Sequence, residues 1–188
     1  MPVDNFITQE VDEDENVPSG GFIARGDDFL DEGEEGGLKS QLPGVSDECW
    51  TQFVKALMTA KVDSVSDSNA VGIFEIMPRR LADLGIVRNV KRTRGPSNRV
   101  LYVAAFVPPM TSDRFLRSPQ KQYEVFCASI IDYDGRMGTG EIERDPQMSR
   151  SGALALLHRC GPRGLETWKS GEQFENTKKI YDKVAGIF

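Results

Sequence analysis

Residues Ser68 to Gly85 read "SNAVGIFEIMPRRLADLG". A glycine opens an apolar run, a single acid, Glu75, sits among Ile73, Phe74, Ile76 and Met77, and Pro78 begins a polar segment that Gly85 closes. Proline suits the first turn of a helix, where its missing N–H costs nothing, and glycine suits the position just past a helix end. The pattern predicts a short helix through "RRLADL", entered from an apolar run. An acid in that setting has three readings. It is a proton donor whose pKa is raised by Phe74 and Met77, a wall residue bonded to backbone amides or to Arg79, or a surface charge.

The chain around this stretch has 188 residues, 39% of them hydrophobic, enough for one sizeable core with an appendage. No run approaches the roughly 18 apolar residues of a membrane span, and "MPVDNFITQEVDEDENVP" has neither a basic n-region nor an apolar h-region. The expectation is a chain without a membrane span or a signal peptide.

Charge divides the sequence. Residues 1–44 hold twelve acids against Arg25 and Lys39, a formal charge of −10, which leaves +4 on residues 45–188. Within that acidic arm the short apolar beads Phe6-Ile7, Phe22-Ile23 and Phe29-Leu30 are separated by "SGG" and "EEGG". Such spacing builds no core, so the arm is expected to be extended and disordered alone, either a solubilising tail or a segment that orders on a partner. A second charge run, Arg79, Arg80, Arg88, Lys91, Arg92, Arg94 and Arg99 against Asp83, is a solvated loop or an anionic contact, whether for peptidoglycan, nucleic acid or an acidic arm like residues 10–15 of another subunit. No aromatic interleaving accompanies it, which argues against nucleic acid.

The body reads mainly as helices. Ser46 is placed to cap "DECWTQFVKALMTAK", with Trp50, Phe53, Val54, Leu57 and Met58 at three- and four-residue steps. Residues 99–107, "RVLYVAAFV", fit a strand or a buried helical turn, ended by Pro108-Pro109. The run from Ser118 predicts a helix with a stripe of Tyr123, Phe126, Cys127, Ile130 and Ile131, stopped at Asp134-Gly135. Ser149 or Ser151 caps "SGALALLHRC", Gly161-Pro162 stops it, and a last helix over 174–184 turns Ile180, Tyr181 and Val184 inward. Cys49, Cys127 and Cys160 are an odd, widely spaced set inside apolar patterns and read as buried free thiols. Neither they nor the lone His158 support a metal site, and no cofactor is expected.

Taken in order, three segments resemble a known family. "GIFEIMPRRLADLG" is similar to the cleft motif of the lytic transglycosylases of the lysozyme superfamily, a Gly-Leu-Met-Gln-Ile-Met-Pro type run followed by a short helix. "LLHRCGPRGLETW" resembles that family's Ala-Tyr-Asn-Ala-Gly-Pro-Gly segment, and "NTKKIYDKV" its closing Glu-Thr-x-x-Tyr-x-x-x-Val helix. The resemblance covers residues 47–184 and is closest to the phage virion branch. It implies a mainly α, lysozyme-like domain over 45–188 behind the arm. The Ser68–Gly85 stretch and the Gly161 turn would face each other across a cleft, with Phe74, Glu75, Met77, His158 and Arg159 lining it.

In that family a carboxylic acid, kept protonated in an apolar cleft, donates its proton to the glycosidic oxygen of peptidoglycan and then assists ring closure through the sugar's 6-hydroxyl. The donor is the acid of a Glu-Ser pair ending the first helix. Here the corresponding turn is "ALMTAKVDS", so Lys61 or a neighbour stands at the donor's position, and Asp63 is the nearest acid. Glu75 occupies the place of the family's cleft glutamine, and His158 and Arg159 replace its saccharide-facing Tyr and Asn. The resemblance therefore implies a non-catalytic phage virion protein of tail, baseplate or neck, made in the host cytoplasm and docked to other virion proteins by its arm. The alternative is a virion-associated lytic transglycosylase with peptidoglycan as substrate and Glu75 as a relocated acid.

Overall fold

A computed structural model describes residues 37–58, 70–94, 100–171 and 175–188. Its elements are α1 (Asp47–Leu57), α2 (Pro78–Asp83), β1 (Val87–Arg94), β2 (Val100–Phe106), α3 (Ser112–Leu116), α4 (Pro119–Gly138), α5 (Arg150–Lys169) and α6 (Glu175–Val184). Helices take 54% of the described residues and a two-stranded antiparallel sheet is added, so the expected mainly α fold is mixed instead. The segment at 99–107 is the reason. β-Branched and aromatic residues favour a pleated strand over a helix, and Val100, Tyr102 and Val103 pair with the strand β1 of the basic run. Among the described residues no helix is long and apolar enough to cross a membrane.

The chain divides into two compact units, whose described parts are 70–123 and 37–58 with 124–188. In the first, α2 packs against both strands, and Phe106 of β2 meets Phe115 of α3 at 5.4 Å. Pro78 occupies the first turn of α2, and the N–H of Gly85 bonds the Ala82 carbonyl at 2.9 Å, as the punctuation predicts.

The second unit is built on aromatic rings. Trp50 and Phe53 of α1 and Phe126 of α4 lie 5.9–6.4 Å apart, and Phe188 meets Phe53 edge-on at 5.1 Å. Burying each such ring stabilises the fold by about 1.5–3 kcal/mol. Ser46 caps α1 by accepting the Cys49 N–H at 3.2 Å, and Ser149 rather than Ser151 caps α5. Ser151 lies buried and donates to the Val184 carbonyl at 2.7 Å, tying α5 to α6. Arg150 grips Asp134 with two hydrogen bonds of 2.7 Å and also reaches the Pro43 carbonyl. That bond to Asp134 raises the Arg150 pKa further above its ordinary value.

Several expectations move. α1 ends at Leu57, before the predicted Lys61. α4 runs through Asp134-Gly135 to Gly138, because Asp134 is held by Arg150 instead of turning the chain. On α4 Tyr133 is buried where Ile131 was expected, and Ile131 is 44% exposed. Cys127 alone of the three free thiols is buried, Cys49 being half-buried and Cys160 exposed. Residues 37–44, grouped with the arm by charge, are partly packed, since Leu42 is buried and the Ser40 N–H bonds Asp47.

Candidate functional site

Within the stretch that the sequence singles out, residues 71–76 form a tight hairpin. Val71 and Ile76 exchange both backbone hydrogen bonds at 3.0 Å, and the Glu75 N–H returns to the Gly72 carbonyl at 3.0 Å, leaving Gly72–Glu75 as a four-residue loop. Met77 then leads into α2 as the residue before its first turn. Val71, Ile73, Phe74 and Ile76 are all buried, so the loop is anchored by almost every side chain except that of Glu75.

One polar side chain fixes the loop from behind. Gln122 of α4 is fully buried. Its Oε1 accepts the Ile73 N–H at 2.8 Å, and its Nε2 donates to the carbonyls of Phe115 and Leu116 at 2.9 and 3.1 Å. A buried amide with donor and acceptor both engaged specifies one arrangement, because either group left unpaired would cost about 1–3 kcal/mol. The loop lies so close to Gln122 that a Cβ on Gly72 would stand 2.3 Å from Oε1, and Gly72 has φ +75°. Both steric contact and backbone conformation demand glycine here. Gln122 was missed in the sequence. Its signal was its position four residues before Phe126, a polar residue on the buried stripe of a helix.

Glu75 is half-buried and holds φ +48°, a left-handed conformation uncommon outside glycine, asparagine and aspartate. It closes the loop at that φ, so the acid sits where the hairpin turns back. Phe74, expected to line an open wall, is 1% exposed and packs its ring 6.4 Å from Tyr123. Met77 is half-buried. Lys61 and Asp63 lie outside the described residues.

His158 and Arg159 belong to the second unit, on the first arm of α5. His158 meets Phe126 edge-on at 5.1 Å. Arg159 is exposed, although nearby atoms desolvate its guanidinium and lower its pKa from the arginine value; water still reaches it, and it stays charged at neutral pH. Next to it the chain kinks at Gly161, with φ +69° and ψ −176°, and Pro162 begins a second helical arm to Lys169. The predicted stop at Gly161-Pro162 holds, since the two helical arms of α5 meet there across the kink. Phe74, Glu75 and Met77 share the hairpin, whereas His158 and Arg159 share the second unit.

The basic run forms a ribbon. β1 pairs with β2 so that Arg88 lies opposite Ala105, Lys91 opposite Val103, Arg92 opposite Tyr102 and Arg94 opposite Val100, with a register shift between Arg88 and Lys91. Cross-strand partners share a face, so Arg88 and Lys91 lie on one face and Arg92 and Arg94 on the other. Arg79 adds a cation over the Tyr102 ring at 5.8 Å. Arg80, counted with these in the sequence, is instead buried. Arg99 lies outside the described residues. No three His, Cys, Asp or Glu side chains converge as a metal site would require among the described residues.

No family model, curated protein or solved structure matches the chain.

Proposed function

We propose that the protein is a structural component of a bacteriophage virion, in tail, baseplate or neck, built on a lysozyme-like domain that has lost its proton donor and docked to other virion proteins through its acidic arm. The observation that carries this reading is the Gly72–Glu75 loop. It is a hairpin pinned by a buried glutamine and followed at once by a proline-started helix, and a short helix after such a run is what the resemblance implies. Upstream of it, residues 58–69 read "MTAKVDSVSDSN", with no glutamate and no Glu-Ser pair. A lysine at the donor's position, charged at neutral pH, is a poor proton donor to an ether oxygen and disfavours a cationic transition state.

A second reading, a virion-associated peptidoglycan lyase with Glu75 as its acid, is favoured by one observation. Glu75 is a non-glycine residue in left-handed backbone, and such strain concentrates at functional positions. Purified peptidoglycan incubated with the protein separates the two. The structural reading expects little or no release of anhydro-muropeptides, since loss of a positioned acid removes about 10²–10⁴-fold in rate. Robust release that Glu75→Gln abolishes establishes the lyase, and robust release that survives it removes both readings. Mass spectrometry of purified particles from the phage or prophage encoding this chain tests the virion assignment, which absence of the protein from particles would overturn.

A further inference from the structure

The ribbon of β1 and β2 is cationic on both faces and carries charge that the fold does not use. Arg88, Lys91 and Arg92 are exposed and make no ion pair among the described residues. Asp83, the one acid of that sequence run, is taken by Arg80 at 3.9 Å. Cations on an edge strand also discourage pairing with other chains, but three of them on alternating faces form a surface whose natural complement is an extended acidic segment. Successive side chains of an extended chain point to opposite faces. Consecutive acids therefore present negative charge to both.

The sequence supplies that segment. Residues 10–15 read "EVDEDE", with Asp12, Glu13, Asp14 and Glu15 in unbroken succession. We propose that this stretch docks along β1 of its own chain, Asp12 and Asp14 meeting one face of the ribbon and Glu13 and Glu15 the other. Reach does not limit it. The 21 residues between Glu15 and Gly37, the first described residue, extend to about 70 Å at about 3.3 Å each. As a flexible chain they span about 25 Å root mean square. A tether of that length holds the acids near the ribbon at an effective concentration of order millimolar. The contact goes beyond the virion reading and does not rest on it. It masks the ribbon from other polyanions and leaves the apolar beads on either side, Phe6-Ile7 and Phe22-Ile23, for a partner.

Zero-length carbodiimide cross-linking of the full chain tests the proposal, because Lys91 is the one lysine between residues 62 and 120. The expected product is an amide between the Lys91 Nζ and a carboxyl of residues 10–15. It should form in an equimolar mixture of light and isotopically heavy protein without mixed pairs, and should fall at least several-fold in about 0.5 M salt. Mixed pairs would show exchange between copies and overturn docking within one chain. Lys91 joined only to acids elsewhere would overturn the segment. A second measurement uses a variant with all five acids of residues 10–15 changed to Asn or Gln, and a 20-nucleotide single strand as polyanion probe. Unmasking should tighten its binding about tenfold at low salt. Equal binding by the two proteins would mean that the ribbon is open in the native chain and that the proposal fails.

Discussion

Two glycines break the chain at positive φ, Gly72 at +75° and Gly161 at +69°, and they are held in opposite ways. A Cβ on Gly72 would collide with the buried Gln122, whereas a Cβ on Gly161 would meet nothing within 4 Å. The first break is enclosed by packing and by three hydrogen bonds to one amide; the second is a bend in the open between two helical arms. Similar φ values thus carry different meanings. In the first unit the turn is part of the core, and in the second it only redirects a helix.

The largest expected effect comes from breaking that difference at Gly72. Gly72→Ala places a methyl against Gln122, which is walled in and cannot move without abandoning its partners. Left-handed strain of about 1–3 kcal/mol and lost buried hydrogen bonds of about 1–3 kcal/mol add to roughly 2–6 kcal/mol of destabilisation by chemical denaturation. The same change in a Gln122→Ala background should cost only about 1–2 kcal/mol, because the collision is gone. Additive losses in the double mutant would show that the contact with Gln122 is not what makes Gly72 necessary.

That contact also marks how far the sequence could be read. The ends of α2 were legible because proline and glycine act locally, and the caps Ser46 and Ser149 because a hydroxyl before an apolar period has one local use. Gln122 was not, since its partners Ile73, Phe115 and Leu116 are set by tertiary packing. The strand at 100–106 stayed undecided for a related reason: its length and apolar character suit two structures, and only pairing with β1 chooses. Tyr133 replaced Ile131 in the core because it lies seven residues from Phe126 and three from Ile130, on the same helical face. Of the candidate site, the position of Glu75 was visible in the sequence. Its left-handed backbone and the burial of Phe74 were not, as both follow from how the loop closes.

An intermediate effect is expected at Gly161. With open space around it, Gly161→Ala pays only the penalty of a backbone region essentially confined to glycine, φ +69° with ψ −176°, about 1–3 kcal/mol, and no steric term. For a chain of this size that lowers the thermal midpoint by several degrees. Gly161→Asn should recover little of the loss, since ψ −176° lies outside the left-handed helical region that asparagine tolerates. A loss as large as that at Gly72 would mean that the bend is as tightly enclosed as the hairpin, and the contrast between the two breaks would fail.

The smallest effect lies at the surface of the second unit, where polar contacts resemble those of Gln122 in geometry but not in burial. Asp47 accepts from the Lys39 Nζ and from the Ser40 N–H, both at 2.8 Å. First the Lys39 hydrogen bond and then that of Ser40 lower its pKa from the usual carboxylate value. A carboxyl whose folded pKa lies below its unfolded value adds stability that is present above the unfolded pKa, near 3.9. That stability is lost as the pH falls through the window down to the folded value. Water and salt screen both partners, so the contribution at neutral pH is small. Asp47→Asn should therefore shift the thermal midpoint less than Gly161→Ala at about pH 7, and the gap to the native chain should close at about pH 2 or in about 1 M salt. A gap that persisted unchanged at low pH would mean that Asp47 acts through the neutral hydrogen bond to Ser40 and the capping of α1, and that its charge contributes nothing.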